Sequence, residues 1–281
     1  MAALTVVGFA SGSPLSQMAM ARIARGHRLV AIVGPRPGGG IRQALRRILG
    51  RATNPLAELG VPLIGIEDVA RYRPDVIAVA SFQQIIAAAT MAEARIGALN
   101  VHMSALPRHR GTDPVFWTYW DNEPDAAVTI HWMDARIDAG DIAAQQFHPF
   151  ARGLASRELY MQLAAIGVEL LADVLNRVAS GQMPRQPQDE TRASYQSAAD
   201  IARARVPFAQ WPAERVWHVL RGLGDQWSGL IAGADGEPLA HGRAMQYRVT
   251  GETKPGHIDV LEAAYELHCG DGIVTVERHA H

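Results

Sequence analysis

Asn100 and His102 stand two residues apart at the end of a short apolar run that begins at Ala98. Positions two apart on a strand face the same side, so the amide and the imidazole would enter one pocket. A loop with Pro107 and Pro114 follows, and then a carboxylate, Asp138, in an Asp-Ala-Gly-Asp turn. These three groups suit chemistry at a carbonyl carbon. The amide N–H can stabilise charge on the carbonyl oxygen, the imidazole can move a proton, and the carboxylate can hold the imidazole. Each also has a plainer use. Asn satisfies backbone groups in loops, Asp favours turns, and Asp134 and Asp141 flank the same turn.

The surrounding pattern must position this set. Short β-branched or apolar runs at residues 4–9, 28–33, 63–66, 75–80 and 98–101 are separated by helix-competent spacers. Strands alternating with helices argue for an α/β fold, with a Rossmann-like, doubly wound and mostly parallel sheet. Ligands in such sheets sit beyond the carboxyl ends of the strands, where Asn100 and His102 fall. Residues 126–133 and 142–148 read as two more strands around the Asp138 turn. Apolar residues from Leu159 to Val178 at steps of three and four mark a long amphipathic helix over 154–178. Residues 181–202 are polar, contain Pro184 and Pro187, and read as a linker. The expected organisation is a catalytic domain at 1–180, that linker, and a small β-rich, OB-like domain at 203–281.

Composition narrows the classes. The 281-residue chain is 48% hydrophobic and 20% charged, with net charge −1, an ordinary soluble balance without a global case for nucleic-acid binding. No apolar run approaches the roughly 20 residues of a membrane span. The start reads as a buried strand rather than a leader. The single cysteine, Cys269, fits a reducing compartment, and the cytoplasm is the simplest location. Lys254 is the one lysine beside 26 arginines. Arg36, Arg42, Arg46, Arg47 and Arg51 form a local basic stretch that could hold phosphate or simply face solvent. His102, His109, His131 and Asp138 could in principle ligate a metal, but no HExxH or paired-cysteine spacing supports that. Gly8, Gly12 and the 38–40 triple do not make a GxGxxG fingerprint.

The string Asn-Val-His-Met-Ser-Ala-Leu-Pro-Arg-His-Arg-Gly at 100–111, followed by Asp-Ala-Gly-Asp-Ile at 138–142, resembles the signature of the folate-dependent formyltransferases. Ser104, Leu106, Pro107, Arg110, Gly111 and Pro114 fall on family positions, while Met103 stands where Gly is usual and Ala105 where Leu is usual. The second domain resembles that of the methionyl-tRNA type. The resemblance implies a catalytic set of Asn100, His102 and Asp138. It also implies 10-formyltetrahydrofolate as formyl donor, held by Phe82, Gln83, Gln84 and Ile85 with Ser104, Leu106, Pro107 and Asp134, and no metal.

The implied reaction is transfer of that formyl group to a primary amine. A small metabolite, such as an amino sugar nucleotide or a biosynthetic intermediate, is the expected acceptor, with methionyl-tRNA as the alternative. A formyltetrahydrofolate hydrolase and a non-catalytic folate- or RNA-binding module are lesser readings. Membrane association is not expected.

Overall fold

Runs of Val, Ile and Ala that are buried on both faces become the centre of one sheet, as parallel strands require. In the computed structural model, which describes residues 3–34 and 56–279, these are β1 (Thr5–Ala10), β2 (Arg28–Val33), β3 (Leu63–Ile64), β4 (Val76–Ala80) and β5 (Gly97–His102). The two-residue β6 (Arg110–Gly111) precedes β7 (Asp125–Trp132) and β8 (Ile142–Pro149). The sheet order is β3-β2-β1-β4-β5-β7-β8. Pairing is parallel from β3 through β5 and antiparallel between β5 and β7. The mostly parallel, Rossmann-like sheet expected from the alternation is present. The basic stretch at Arg36, Arg42, Arg46, Arg47 and Arg51 lies outside the described residues.

Helix α1 (Pro14–Gly26) starts where Ser13 accepts the N–H of Ser16 and Pro14 occupies the first turn, the usual chemistry of a helix start. Further along are α2 (Ala88–Met91), α3 (Pro114–Trp120) and α4 (Ser156–Ala179). A cluster of Val7, Phe9, Val33, Ile77, Val79 and Ala98 fills one side of the sheet. On the other side Gly167 of α4 approaches so closely that a Cβ would stand 2.9 Å from Val101 and 3.0 Å from Val128. Val101 therefore faces α4, and strand alternation turns Asn100 and His102 the opposite way.

The described chain divides into two compact units that interleave in sequence. The first holds 1–111, 127–147 and 161–195, and the second holds 112–126, 148–160 and 196–281. Within the first unit the 181–195 stretch is anchored rather than free-standing. Ile142 and Gln186 exchange backbone hydrogen bonds of 2.8 and 2.9 Å, and Glu190–Arg192 form a helical turn. The second unit contains α5 (Ala198–Arg203), α6 (Ala213–Leu223) and a four-stranded antiparallel sheet. Its strands, after the two-residue β9 (Tyr195–Gln196), are β10 (His241–Val249), β11 (Ile258–Val260), β12 (Ala264–His268) and β13 (Gly272–Arg278), ordered β10-β13-β12-β11. Val216, Val219, Leu220 and Leu223 give α6 one buried stripe. Beside it pack the aromatic rings of Phe116, Trp117, Trp120 and Trp227.

Candidate active site

Strand β5 presents Asn100 and His102 on one face, and antiparallel register sets His131 of β7 directly opposite Asn100. Residues opposite one another on neighbouring strands share a face. The turn after β7 then returns Asp138 to the same place. Its carboxylate Oδ2 accepts the Gly111 backbone N–H at 2.9 Å and lies 3.5 Å from His102 Nδ1. Its Oδ1 lies 3.4 Å from both Asn100 Nδ2 and His131 Nε2. Asn100 Nδ2 donates to His131 Nε2 at 3.1 Å. The three residues singled out by sequence are thus brought together, and His131 joins them.

Hydrogen bonding assigns the imidazole protons. His102 Nε2 is 2.8 Å from the carbonyl oxygen of His109, which can only accept, so Nε2 carries a proton and Nδ1 faces Asp138. His131 Nδ1 donates to the Trp132 carbonyl at 3.0 Å, leaving Nε2 to receive the Asn100 amide. His102 is buried, and that burial lowers its pKa despite the opposing pull of Asp138 and the His109 carbonyl. Burial alone would raise Asp138. The adjacent imidazoles of His102 and His131 and the Gly111 N–H outweigh it and hold the carboxyl well below the usual range. Near neutral pH the set is a neutral His102 against an ionised Asp138.

Local backbone explains why this turn exists. Asp138 has φ 50°, a left-handed conformation that Asp tolerates better than most residues. Two residues on, a Cβ at Gly140 would meet the Trp132 carbonyl oxygen at 2.0 Å, so only glycine lets the turn pass β7 so closely.

The expected donor-pocket residues lie in the loops that follow β4, β5 and β7. Val79 of β4 is in register with Asn100, so the loop after β4 leaves the sheet at the same strand ends. In that loop Phe82 packs edge-on against Phe9 at 5.2 Å, Gln83 and Gln84 are exposed, and Ile85 is 85% exposed. Ser104 donates to the Arg108 carbonyl at 2.7 Å, and Leu106 is buried before a cis bond to Pro107. Gln145 fixes this loop by donating to the Leu106 carbonyl (3.0 Å) and Thr129 (2.8 Å). Asp134 accepts from the Arg136 backbone and guanidinium. Among the described residues no group of three His, Cys, Asp or Glu side chains is arranged to hold a metal. Nor is any described helix long and apolar enough to cross a membrane.

His131 is the residue that sequence reasoning passed over as a member of this set, considering it only as a metal ligand. Its signal was its place in the strand leading to Asp138, but the β5–β7 register was needed to see what it opposes.

The segment that carries this site resembles formyltransferases in sequence. Residues 65–175 match the family model described as formyl transferase. Methionyl-tRNA formyltransferase of Chlorobium chlorochromatii is 36% identical over 157 residues, which are 56% of this chain and 49% of that protein. The chain thus spans about half the length of that relative. Methionyl-tRNA formyltransferase of Citrifermentans bemidjiense is 29% identical over 268 residues, covering 90% of this chain and 81% of that one. In fold the chain resembles an N-formyltransferase from Helicobacter canadensis in complex with folinic acid and dTDP-3-aminofucose. The TM-score is 0.74 at 16% identity, with 98% and 99% of the two chains covered.

Proposed function

We propose that the chain transfers the formyl group of 10-formyltetrahydrofolate to a primary amine of a small metabolite, an amino sugar nucleotide or a biosynthetic intermediate, in the cytoplasm. The observation that carries the reaction is the convergence of Asn100, His102 and Asp138 at one end of β5 within the segment that matches the formyl transferase model. This donor set fits a formyl ester or amide: an amide N–H, a neutral imidazole and an ionised carboxylate. Donor contacts fall to Phe82, Gln83, Gln84 and Ile85, whose loop is largely exposed, and to Ser104, Leu106, Pro107 and Asp134.

When bound, the donor supplies an electrophilic formyl carbon on a nitrogen able to leave. Asn100 donates its Nδ2–H to the formyl oxygen as the amine lone pair forms the new C–N bond. Its contact with Asp138 is the longer of the two that Nδ2 makes, so that hydrogen is the one free to turn. His102 takes up the amine proton on Nδ1, where Asp138 stabilises the resulting charge. His102 then returns that proton to the departing folate nitrogen as the old C–N bond breaks. No covalent link to the protein forms.

Charge supports the small acceptor. The second unit carries sixteen acidic against ten basic side chains, a formal −6. Several of its arginines are already occupied: Arg203 with Asp200, Arg248 with Glu266, and Arg215 over Trp211. Polyanions bind through phosphate neutralisation, which this unit opposes. The second reading, methionyl-tRNA as acceptor, is favoured by the curated relatives. A test is to incubate the chain with 10-formyltetrahydrofolate and either a panel of amino sugar nucleotides and small amines or charged initiator tRNA, then to identify formylated product by mass spectrometry. A formylated small amine and inert tRNA are expected. Formyl-methionyl-tRNA, with salt-sensitive tRNA binding, would overturn the acceptor assignment.

A further inference from the structure

Gln188 links the active-site turn to a buried guanidinium, although it lies between the Gln186 bridge and the helical turn at Glu190–Arg192, in neither strand nor helix. Its amide nitrogen donates to the carbonyl oxygens of both Asp138 and Gly140, each at 2.8 Å. Its amide oxygen accepts from Arg110 Nη2 at 2.8 Å and Nε at 3.1 Å. Arg110 is buried, and its Nη1 and Nη2 also donate to Glu190 at 2.9 and 3.1 Å. Glu190 also binds Arg136, two residues before Asp138. Both polar atoms of the Gln188 side chain are therefore spoken for, and its oxygen and nitrogen cannot exchange places without setting N–H against guanidinium and oxygen against two carbonyls.

We propose that Gln188, oriented by Arg110 and Glu190, is a positioning residue that fixes the left-handed turn presenting Asp138 to His102 and Asn100. The proposal rests on the transferase reading only for its effect on turnover. Two routes run from Gln188 to the same carboxylate. One is the backbone of residues 138–140, and the other is Arg110, whose neighbour Gly111 donates to Asp138 Oδ2. Without Gln188, two carbonyls lose their donors, and the backbone of the turn at Asp138, with φ 50°, keeps the longer Arg136 contact to the Ala139 carbonyl at 3.3 Å against relaxation to a common conformation. The carboxylate then withdraws from His102 Nδ1, and the His131 ring, at 6.3 Å between centroids, remains beside His102.

Gln188→Met keeps length and removes both polar functions, while Gln188→Glu keeps shape and turns the donor into an acceptor. The readout independent of acceptor identity is the titration of His102, followed by ring-nitrogen NMR in the full chain. Asp138→Asn gives the full shift to lower pH expected when the opposing carboxylate is lost. Gln188→Met and Gln188→Glu should shift His102 in the same direction. Turnover with 10-formyltetrahydrofolate and the acceptor found in the panel should fall roughly ten- to a hundredfold, as a displaced catalytic group requires, with the donor KM little changed. A merely structural role would lower the melting temperature and leave the His102 titration in place. That outcome, or wild-type titration in both variants, would overturn the proposal. If the Gln188 variants do not fold, Glu190→Gln loosens Arg110 from a half-exposed position. It should give a smaller shift of the same sign, and none would overturn the proposal. A shifted His102 in a protein that transfers formyl to no acceptor would support the positioning role while refuting the transferase reading.

Discussion

His218 should make the second unit acid-labile by an amount that follows from its surroundings. The ring is wholly buried and stacked on Tyr119 at 4.9 Å, and its Nδ1 accepts the Gly153 N–H at 2.9 Å. Nε2 is buried without a partner. Burial first, and then the Arg152 guanidinium, lowers the pKa to about 4. The unfolded chain takes up this proton near pH 6.5 and the folded chain only near 4, so stability is complete above 6.5 and falls as pH drops towards 4. The shift of about 2.5 units is worth roughly 3 kcal/mol when fully expressed, and about 2 kcal/mol of it is lost between pH 7.5 and 5. His218→Asn keeps an acceptor for Gly153 and removes the titration, so it should cost a pH-independent amount and flatten that part of the slope. Five of the six tryptophans lie in the second unit, so urea unfolding followed by tryptophan fluorescence at both pH values is the assay. Equal pH slopes for wild type and His218→Asn, or an imidazole that titrates near 6.5 in the folded protein, would refute the reasoning.

Gly140→Ala should destabilise by at least the roughly 1–3 kcal/mol of ordinary overpacking, because the new Cβ meets the Trp132 carbonyl oxygen at 2.0 Å and backbone cannot yield. A melting temperature within a degree of wild type would contradict the turn geometry. Cys269 is buried and its thiol is pushed up to about 12, by burial and then by Asp271. It should therefore resist iodoacetamide at pH 8 in the native chain and react in urea, and rapid native labelling would contradict its placement. The lowered pKa of His102 keeps its imidazole neutral to lower pH than the ordinary histidine value of 6.5. The acid side of the kcat/KM profile should accordingly fall only below that value, whereas a midpoint above it would contradict a neutral proton acceptor.

What the sequence revealed and what it hid follow from the range of the forces involved. Asn100 and His102 were legible because strand alternation is local, and the sheet was legible because its central strands are buried on both faces. Asp138 could be separated from Asp134 and Asp141 only by resemblance, since all three are turn-compatible. The structure distinguishes them by the carboxylate that Gly111, Asn100, His102 and His131 surround. His131 stayed hidden because antiparallel register is a pairing between distant segments. Gln188 and Glu190 left no trace in apolar periodicity, because their stretch is held by side-chain hydrogen bonds to backbone and to Arg110 rather than by a hydrophobic face.

The central claim is that Asn100, His102 and Asp138 perform formyl transfer. Its most direct test is single-turnover transfer from 10-formyltetrahydrofolate by wild type, Asn100→Ala and His102→Ala, with donor affinity measured separately by titration. Loss of an oxyanion donor costs about 2.7–4 kcal/mol of barrier, so Asn100→Ala should slow transfer roughly 10²–10³-fold while donor affinity stays within a few fold. Transfer at near the wild-type rate by either variant would contradict the account.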